Sequence, residues 1–327
     1  MKENVIFFGA SKLGKIAKEF LENKYNIVNY CDNDPSKWGT MFEGIKVISP
    51  KQLDGKIKII ITSIYHEEIL KQLIDIGCWN VEVFSVRVNN YTDTLVETYN
   101  IREINLGKFL ENSDVRHIDD VTFMRGGSGL LDYLFLKALI ITFQFQTYLE
   151  IGTFMGESIA AVSDLVRKCY SISLPDEDLE PFFKKMGKAN FSRYFSYKKK
   201  NVVYYTIDSK LFDYHQIDDH IDLVFIDGNH RYEGIIIDTK KIFQFINPEE
   251  TIVVWHDFKQ QGKYRIETVK AVFDALPKEI HKNIFAVDNN MCGIYIPKRY
   301  LNKFEITNET NEMYSYEVNI NIKLNKK

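Results

Sequence analysis

Tyr148-Leu149-Glu150-Ile151-Gly152-Thr153-Phe154-Met155-Gly156-Glu157-Ser158 is the stretch whose reading decides the fold. An apolar run ends in an acid and a glycine, a second glycine follows four residues later, and a helix-compatible segment opens there. The pattern predicts a strand, a tight turn and a helix start. Glycine lets the backbone approach a neighbour without a Cβ in the way, and a helix start presents unpaired N–H groups. Taken alone the stretch is compatible with any α/β fold; the residues downstream give it meaning.

Working outward, the pattern from Thr147 is strand and helix in alternation. Ile159–Val166 reads as the first helix, Cys169–Ser173 as the second strand, Val202–Thr206 as the third and Ile221–Ile226 as the fourth. Tyr232–Phe245 is helical, Thr251–Trp255 is the fifth strand, and Ile266–Leu276 is helical again. Asn283–Val287 and Cys292–Ile296 flank a hairpin-compatible turn. This is an open, mostly parallel sheet with an antiparallel last strand. The mixed stretch Leu174–Lys200 ends in a basic run expected to be a solvated surface. The tail from Tyr300 is polar, and Tyr314–Leu324 alternates as an added edge strand would.

Upstream lies a smaller α/β pattern. Asn4–Phe8 is a short strand, Gly9-Ala10-Ser11-Lys12-Leu13-Gly14 a turn, and Leu13, Ile16, Ala17, Phe20 and Leu21 repeat at helical spacing. Ile27–Tyr30 is a second strand ending in Asp32. A glycine turn after the first strand and an acid after the second is dinucleotide-site grammar. Ser11, however, stands where the middle glycine of G-x-G-x-x-G belongs. Lys56–Ser63, His66–Ile76 and Val81–Val86 continue as strand, helix and strand. The expected organisation is a small Rossmann-like domain over 1–87, a linker or lid over 88–127, a larger domain over 128–298 and a tail over 299–327. The lid reading rests on the polar, Gly-rich run that carries His117, Asp119, Asp120, Arg125 and Ser128; an ordinary connection is the alternative. Fold class is α/β, with two doubly wound sheets.

Composition sets bounds. The 327 residues are 45% hydrophobic and 27% charged with a net charge of −3, which suits a globular chain and gives no nucleic-acid footprint. No apolar run approaches a membrane span, because Asp132 and Lys137 interrupt Leu130–Phe145. The four cysteines are widely spaced without C-x-x-C, which argues for a reducing, cytoplasmic setting.

In open α/β sheets ligands lie across the carboxyl ends of the strands. Those ends read Glu150 and Gly152, then Ser173, then Asp208-Ser209, then Asp227-Gly228-Asn229-His230, then His256-Asp257. The constellation resembles the class I S-adenosylmethionine-dependent methyltransferases, closest to bacterial members with Asp-Gly-x-His-x-Tyr and His-Asp after strands four and five. Here those motifs are Asp227-Gly228-Asn229-His230-Arg231-Tyr232 and His256-Asp257, and the resemblance covers about residues 145–298. It implies that Gly152, Thr153 and Gly156, with Ser158 at the helix start, pack against the methionyl part of S-adenosylmethionine. Glu150 would hold the amino end or orient the turn, Asp208 and Ser209 would lie at the adenine, and Asp227 and His230 near the methyl group. Many relatives carry a ribose-binding acid after strand two; this chain has Ser173, with Asp176, Glu177 or Asp178 placed to reach back.

A methyl acceptor hydroxyl calls for a base, and neutral imidazole suits that role, so His230 and His256 are candidates, with Asp227 beside them. Asp227, His256 and Asp257 form an alternative divalent-metal set, Mg²⁺ first. The segments Phe8-Gly9-Ala10, Asp32–Gly39 and Gly44–Val47 resemble the Rossmann-like domains attached to bacterial sugar-modifying enzymes. That points to a sugar, a surface-glycan precursor or another small molecule as acceptor, in a chain that can form homo-oligomers. Two other readings stay open: a nucleotide-sugar or dinucleotide enzyme working from the N-terminal domain, and a non-catalytic binding protein with a degenerate methyltransferase fold.

Overall fold

The computed structural model describes residues 2–84, 92–115, 117–119, 121–123, 126–185, 192–260, 262–307 and 314–321. Two compact units result, residues 1–94 and 95–327. The chain is mixed α/β, with one large sheet in each unit.

The first unit contains β1 (Glu3–Phe8), α1 (Lys12–Leu21), β2 (Tyr25–Cys31), β3 (Met41–Phe42), β4 (Ile45–Ile48), β5 (Lys58–Ile61), α2 (His66–Asp75) and β6 (Val81–Val83). Its sheet runs β3-β4-β2-β1-β5-β6, parallel except where β3 turns back on β4. β1 is central because Val5, Ile6, Phe7 and Phe8 are apolar on both faces, and all four are buried. Residues 85 and 86 of the expected strand Val81–Val86 lie outside the described residues.

The helix α3 (Thr92–Tyr99) spans the division, and β7 (Arg102–Ile104), α4 (Leu106–Glu111) and α5 (Leu130–Phe143) follow in the second unit. The alternating pattern follows: β8 (Thr147–Ile151), α6 (Glu157–Ser163), β9 (Lys168–Ser173), α7 (Asp176–Lys185), β10 (Val202–Thr206), β11 (Leu223–Ile226), α8 (Tyr232–Phe245) and β12 (Ile252–Trp255). A two-stranded hairpin, β13 (Lys259–Gln260) and β14 (Lys263–Tyr264), precedes α9 (Ile266–Ala275), β15 (Ile284–Val287), β16 (Gly293–Tyr295) and β17 (Ile306–Thr307). The sheet order is β10-β9-β8-β11-β12-β16-β15-β7-β17. The first five strands are parallel, and β16 runs antiparallel to both β12 and β15. β8, β11 and β12 are buried along their whole length, as central strands covered on both faces must be. Each fully buried Leu, Ile or Val there contributes about 1.5–3 kcal/mol.

Two segments depart from the sequence reading. Arg102–Ile104, inside the expected linker, is a sheet strand: it pairs parallel with β15, and Lys259 and Tyr264 both hydrogen-bond Glu103, at 2.6 and 2.8 Å. The tail also enters the sheet, but through Ile306–Thr307 on β7, not through the alternating run. Residues 314–321 carry no strand, and 322–324 lie outside the described residues. Three-residue strands with charged neighbours leave too little periodicity to read. Asp120 and Arg125 of the proposed lid also lie outside the described residues.

Candidate active site

The first turn is shaped by protein contacts. Gly152 has φ +85°, and a Cβ there would sit 2.1 Å from the Asp227 carbonyl oxygen. Gly156 has φ +81°, and its Cβ would meet Ser196 Oγ at 2.3 Å. So the first glycine lets the ends of β8 and β11 close on each other, and the second seats the loop before β10. Phe154 between them holds φ 43°, a costly conformation for a non-glycine residue. Its ring stacks on Phe183 at 4.8 Å.

Glu150 is fully buried at the end of β8. Tyr148 donates to its Oε2 at 2.8 Å, and Oε1 has no hydrogen-bond partner. Burial raises its pKa to about 7, against the opposing pull of Ser158, Tyr148 and Thr153 and with help from the Asp227 charge. Its folded pKa thus lies above the ordinary carboxyl value of 4.5. The folded state therefore binds the extra proton between those pH values, and stability falls as pH rises through that window. Glu150→Gln is expected to stabilise the protein by on the order of 3 kcal/mol at pH 8 and by little at pH 4, read from urea melts at both pH values. Equal effects at the two pH values would contradict the assignment.

The second and third strand ends are engaged within the fold. Ser173 Oγ accepts from Arg193 Nη1 at 3.0 Å, and Arg193 is ion-paired to Asp176. Ser209 Oγ donates to Asp238 Oδ1 on α8 at 2.7 Å, and Lys241 Nζ donates to the carbonyls of Ser209, Lys210 and Phe212. Burial pushes the Asp238 carboxyl up to about 6. Asp208 caps its own turn by accepting from Lys210 N at 2.9 Å. Arg193 and Asp238 went unnoticed in the sequence: one sits in a mixed loop, the other inside a helix with no motif around it.

The fourth and fifth ends form one charged cluster around a small recess lined by Asp227, Gly228, Asn229, His230, Trp255, His256 and Asp257, among others. His256 is buried. Its Nε2 lies 3.2 Å from Asp132 Oδ2 and its Nδ1 lies 3.1 Å from Asp227 Oδ1. Both partners are carboxylates, so both ring nitrogens must donate. Desolvation works against the charged ring, but the Asp227 and Asp132 carboxylates outweigh it and raise its pKa well above 6.5. The two carboxylates favour the charged ring, so His256 braces Asp132 against Asp227. Ser128, from the Gly-rich run before α5, donates to Asp227 Oδ2 at 3.4 Å.

Asp132 is the residue the sequence concealed. It sits in the first turn of an otherwise apolar helix, 1% exposed, and in the sequence it shows only as a break in an apolar run. Gly129 N donates to Oδ2 at 2.7 Å and Met291 N to Oδ1 at 3.0 Å. Burial opposes its ionisation, yet His256 and these backbone donors together hold its pKa below the ordinary value. An isolated acid at the third position of an apolar helix, after a glycine, is the signal that could have found it.

His230 is half-exposed, and its Nδ1 lies 2.6 Å from Asp257 Oδ2. Arg265, from the loop before α9, is ion-paired to the same carboxylate oxygen. Desolvation lowers the His230 pKa, but the hydrogen bond to Asp257 and the charge of Asp227 reverse this, and the net shift is upward. Asp257 itself holds φ 56°, and despite burial its pKa is depressed by His230, His256 and Arg265. The bond to Asp257 fixes the proton on Nδ1 of neutral His230 and leaves Nε2 as the basic atom.

Ligand atoms of Asp227, His256 and Asp257 come within 4.8 Å of one another, so this trio is the candidate metal set among the described residues. Its chemistry fits Mg²⁺ poorly: one donor is a nitrogen, and Mg²⁺ prefers oxygen in octahedral array. Arg265 and the rings of His230 and His256 already face Asp132, Asp227 and Asp257. For S-adenosylmethionine the fit is better. The end of the sheet around the first turn is acidic through Glu150, Glu157 and Asp227, and Glu150 Oε1 is buried without a hydrogen bond. A sulfonium and an ammonium group are the complementary charges.

In the first unit, a cleft of about 400 Å³ is lined by Phe8, Gly9, Asp32, Asn33, Asp34, Ser63, Tyr65, Glu68 and Ile69. Asp32, the acid after β2, is engaged internally: it accepts from Ala10 N and Asp34 N at 2.9 Å each and pairs with Lys37 at 2.9 Å.

Residues 149–258, about a third of the chain, match the family model described as a methyltransferase domain, and residues 1–84 match the one described as C2185-like, N-terminal. No curated protein matched the chain. Solved structures with similarity include SAH-bound methyltransferase PaMTH1 of Podospora anserina, 15% identical, covering 66% of this chain and 99% of that one with a TM-score of 0.39. The O-methyltransferase TomG of Streptomyces achromogenes, in complex with SAM, is 15% identical over 51% of this chain and 79% of its own, TM-score 0.33. CalS10, a SAM-bound amino pentose methyltransferase of Micromonospora echinaspora, is 12% identical over 45% and 62%, TM-score 0.31. No described helix is long and apolar enough to cross a membrane.

Proposed function

We propose that the chain is an S-adenosylmethionine-dependent methyltransferase acting on a hydroxyl group, with the doubly wound class I domain over 128–298 and a Rossmann-like domain over 1–87. The observation that carries the reading is the His230–Asp257 pair at 2.6 Å, placed at the recess beside Asp227. It lies within the stretch that matches the methyltransferase-domain model.

Bound S-adenosylmethionine supplies a methyl group already activated by its sulfonium. The protein's part is positioning and removal of one proton. Asp257, anchored by Arg265, holds His230 so that Nε2 accepts the acceptor's hydroxyl proton. Asp227, clamped by His256, presents a carboxylate beside the reacting atoms and favours positive charge there. Gly152, Thr153, Gly156 and Ser158 form the donor-side turn, Glu150 orients it from beneath, Ser173 stands at the ribose end, and Asp208 and Ser209 mark the adenine side. The acceptor is a sugar or glycan precursor on the strength of the first unit's resemblance to sugar-enzyme domains, and the setting is the cytoplasm.

Incubation with methyl-labelled S-adenosylmethionine and a panel of sugar hydroxyl acceptors tests this. A labelled ether is expected. Donor binding without product over the panel would instead favour a non-catalytic protein of the same fold. Because the cluster supplies its own cations, EDTA is expected to leave donor binding and turnover unchanged. Rescue of a chelated sample by Mg²⁺ would return the reading in which Asp227, His256 and Asp257 hold a divalent ion.

A further inference from the structure

We propose that the alternating segment Tyr314–Asn321 pairs as an added strand on the open edge of β10 in a second copy of this chain. Both halves of that contact belong to the second unit. One is an edge strand, and the other is a run that joins no sheet of its own copy among the described residues.

The edges of the two large sheets are β3, β6, β10 and β17, of two, three, five and two residues. β10 is the longest. Its sequence, Val202-Val203-Tyr204-Tyr205-Thr206, holds neither charge nor proline, the usual means of blunting an edge. On its inner side Cys169 N donates to Asn201 O and Ile207 N to Ser173 O, at 2.9 Å each. That phase turns the N–H groups of Tyr204 and Thr206 away from β9. Among the described residues no hydrogen bond reaches either of them. Tyr197 before the strand and Leu211 after it are exposed, so apolar surface flanks the edge.

Residues 314–321 carry the complementary pattern. Tyr314, Tyr316, Val318 and Ile320 alternate with Ser315, Glu317, Asn319 and Asn321, the two-residue period of a strand with one apolar face. Tyr316, Val318 and Ile320 are exposed. Glu317, also exposed, is the one acid of the run, and it complements the exposed Lys198 and Lys200 that lead into β10.

The chain's own β10 is out of reach. The ring of Tyr314 covers Gly107 in α4, where a Cβ would meet it at 2.1 Å, so the segment is anchored beside β7. In the sheet order β7 stands seven places from β10, about 34 Å at roughly 4.8 Å per strand. The residues from 315 to 321 span at most about 24 Å when fully extended. A neighbouring copy can bring its β10 to the segment. Two such contacts related by a two-fold axis close the assembly at two chains, and each reinforces the other.

Sedimentation velocity of the full chain, with amide hydrogen exchange, tests the pairing. The wild type is expected to approach twice the chain mass as concentration rises. Val318→Asp/Ile320→Asp alters side chains that are 57% and 66% exposed, so it should fold as the wild type does. It should need at least about 10-fold more protein to assemble. Thr206→Pro removes an outward N–H at an exposed edge position and should weaken assembly likewise. The exchange measurement needs no change in the edge itself. Tyr204 and Thr206 amides should exchange about 10-fold or more slowly in concentrated wild type than in Val318→Asp/Ile320→Asp, and the protection should fade on dilution. A wild type that stays at one chain mass would overturn the proposal. So would assembly that the double substitution leaves unchanged, or equal exchange of the two amides in both proteins. Protection that persists on dilution would mean that the chain covers its own edge. Full assembly by folded Thr206→Pro would mean that the segments pair with each other; both results overturn the proposal.

Discussion

His230→Gln is expected to lower the rate of methyl transfer about 10²–10³-fold while leaving affinity for S-adenosylhomocysteine within about twofold. Gln keeps a polar group near Asp257 but removes the proton acceptor. Asp257 keeps Arg265 as a partner, so the cluster does not collapse when His230 is lost. The half-exposed position of His230 also makes a folding defect a poor explanation of lost activity. The pH dependence sharpens the test. A general base works in its neutral form, and the pKa of His230 is raised, chiefly by Asp257 acting against desolvation. The wild-type rate should therefore rise with pH through a midpoint above 6.5, and the residual rate of His230→Gln should lack that limb. Turnover with the labelled donor across pH 5.5–9 checks both statements. An unchanged rate in the variant would remove His230 from the chemistry.

Asp132→Ala is expected to destabilise the fold by about 3–5 kcal/mol, among the largest effects of any single substitution here. It takes one of two carboxylates from a buried imidazolium and leaves the Gly129 and Met291 backbone N–H groups without their acceptor. The direction with pH follows from the two opposed shifts. His256 is raised, so its stabilising share is present below about 6.5 and is lost as pH rises through its folded value. Asp132 is lowered, so its share is present above about 3.8 and is lost as pH falls through its folded value. The wild type should lose more than Asp132→Asn on acidification and again at alkaline pH, in denaturant melts. A loss under 1 kcal/mol for Asp132→Ala would contradict the clamp. So would ¹⁵N spectra showing a neutral His256 ring at pH 7.

These residues also show where the sequence was legible. The strand ends at Glu150, Asp227 and His256-Asp257 stood out because each polar pair breaks a central strand apolar on both faces. That also placed β8, β11 and β12, and Tyr232–Phe245 by its helical period. What escaped depends on meetings between distant segments. Asp132 and His256 are 124 residues apart, and neither spacing nor local pattern links them. Arg193 reaches Ser173 from a loop with no period, and no local pattern links the two. Gly152 was legible as a required glycine, and the neighbour that requires it is the Asp227 carbonyl, which a local pattern does not show. β7 and β17 escaped because strands of three and two residues have no periodicity to detect, and their pairing spans the second unit.

Under the proposed function the carboxyl ends of β8, β9, β10 and β11 bind the donor. Equilibrium titration of the full chain with S-adenosylhomocysteine tests it most directly, read by heat and by thermal shift together. Saturable binding at one site per chain is expected, with stabilisation of about 2.7 kcal/mol at a ligand concentration 100 times Kd. Absence of both heat and thermal shift at millimolar ligand would contradict it.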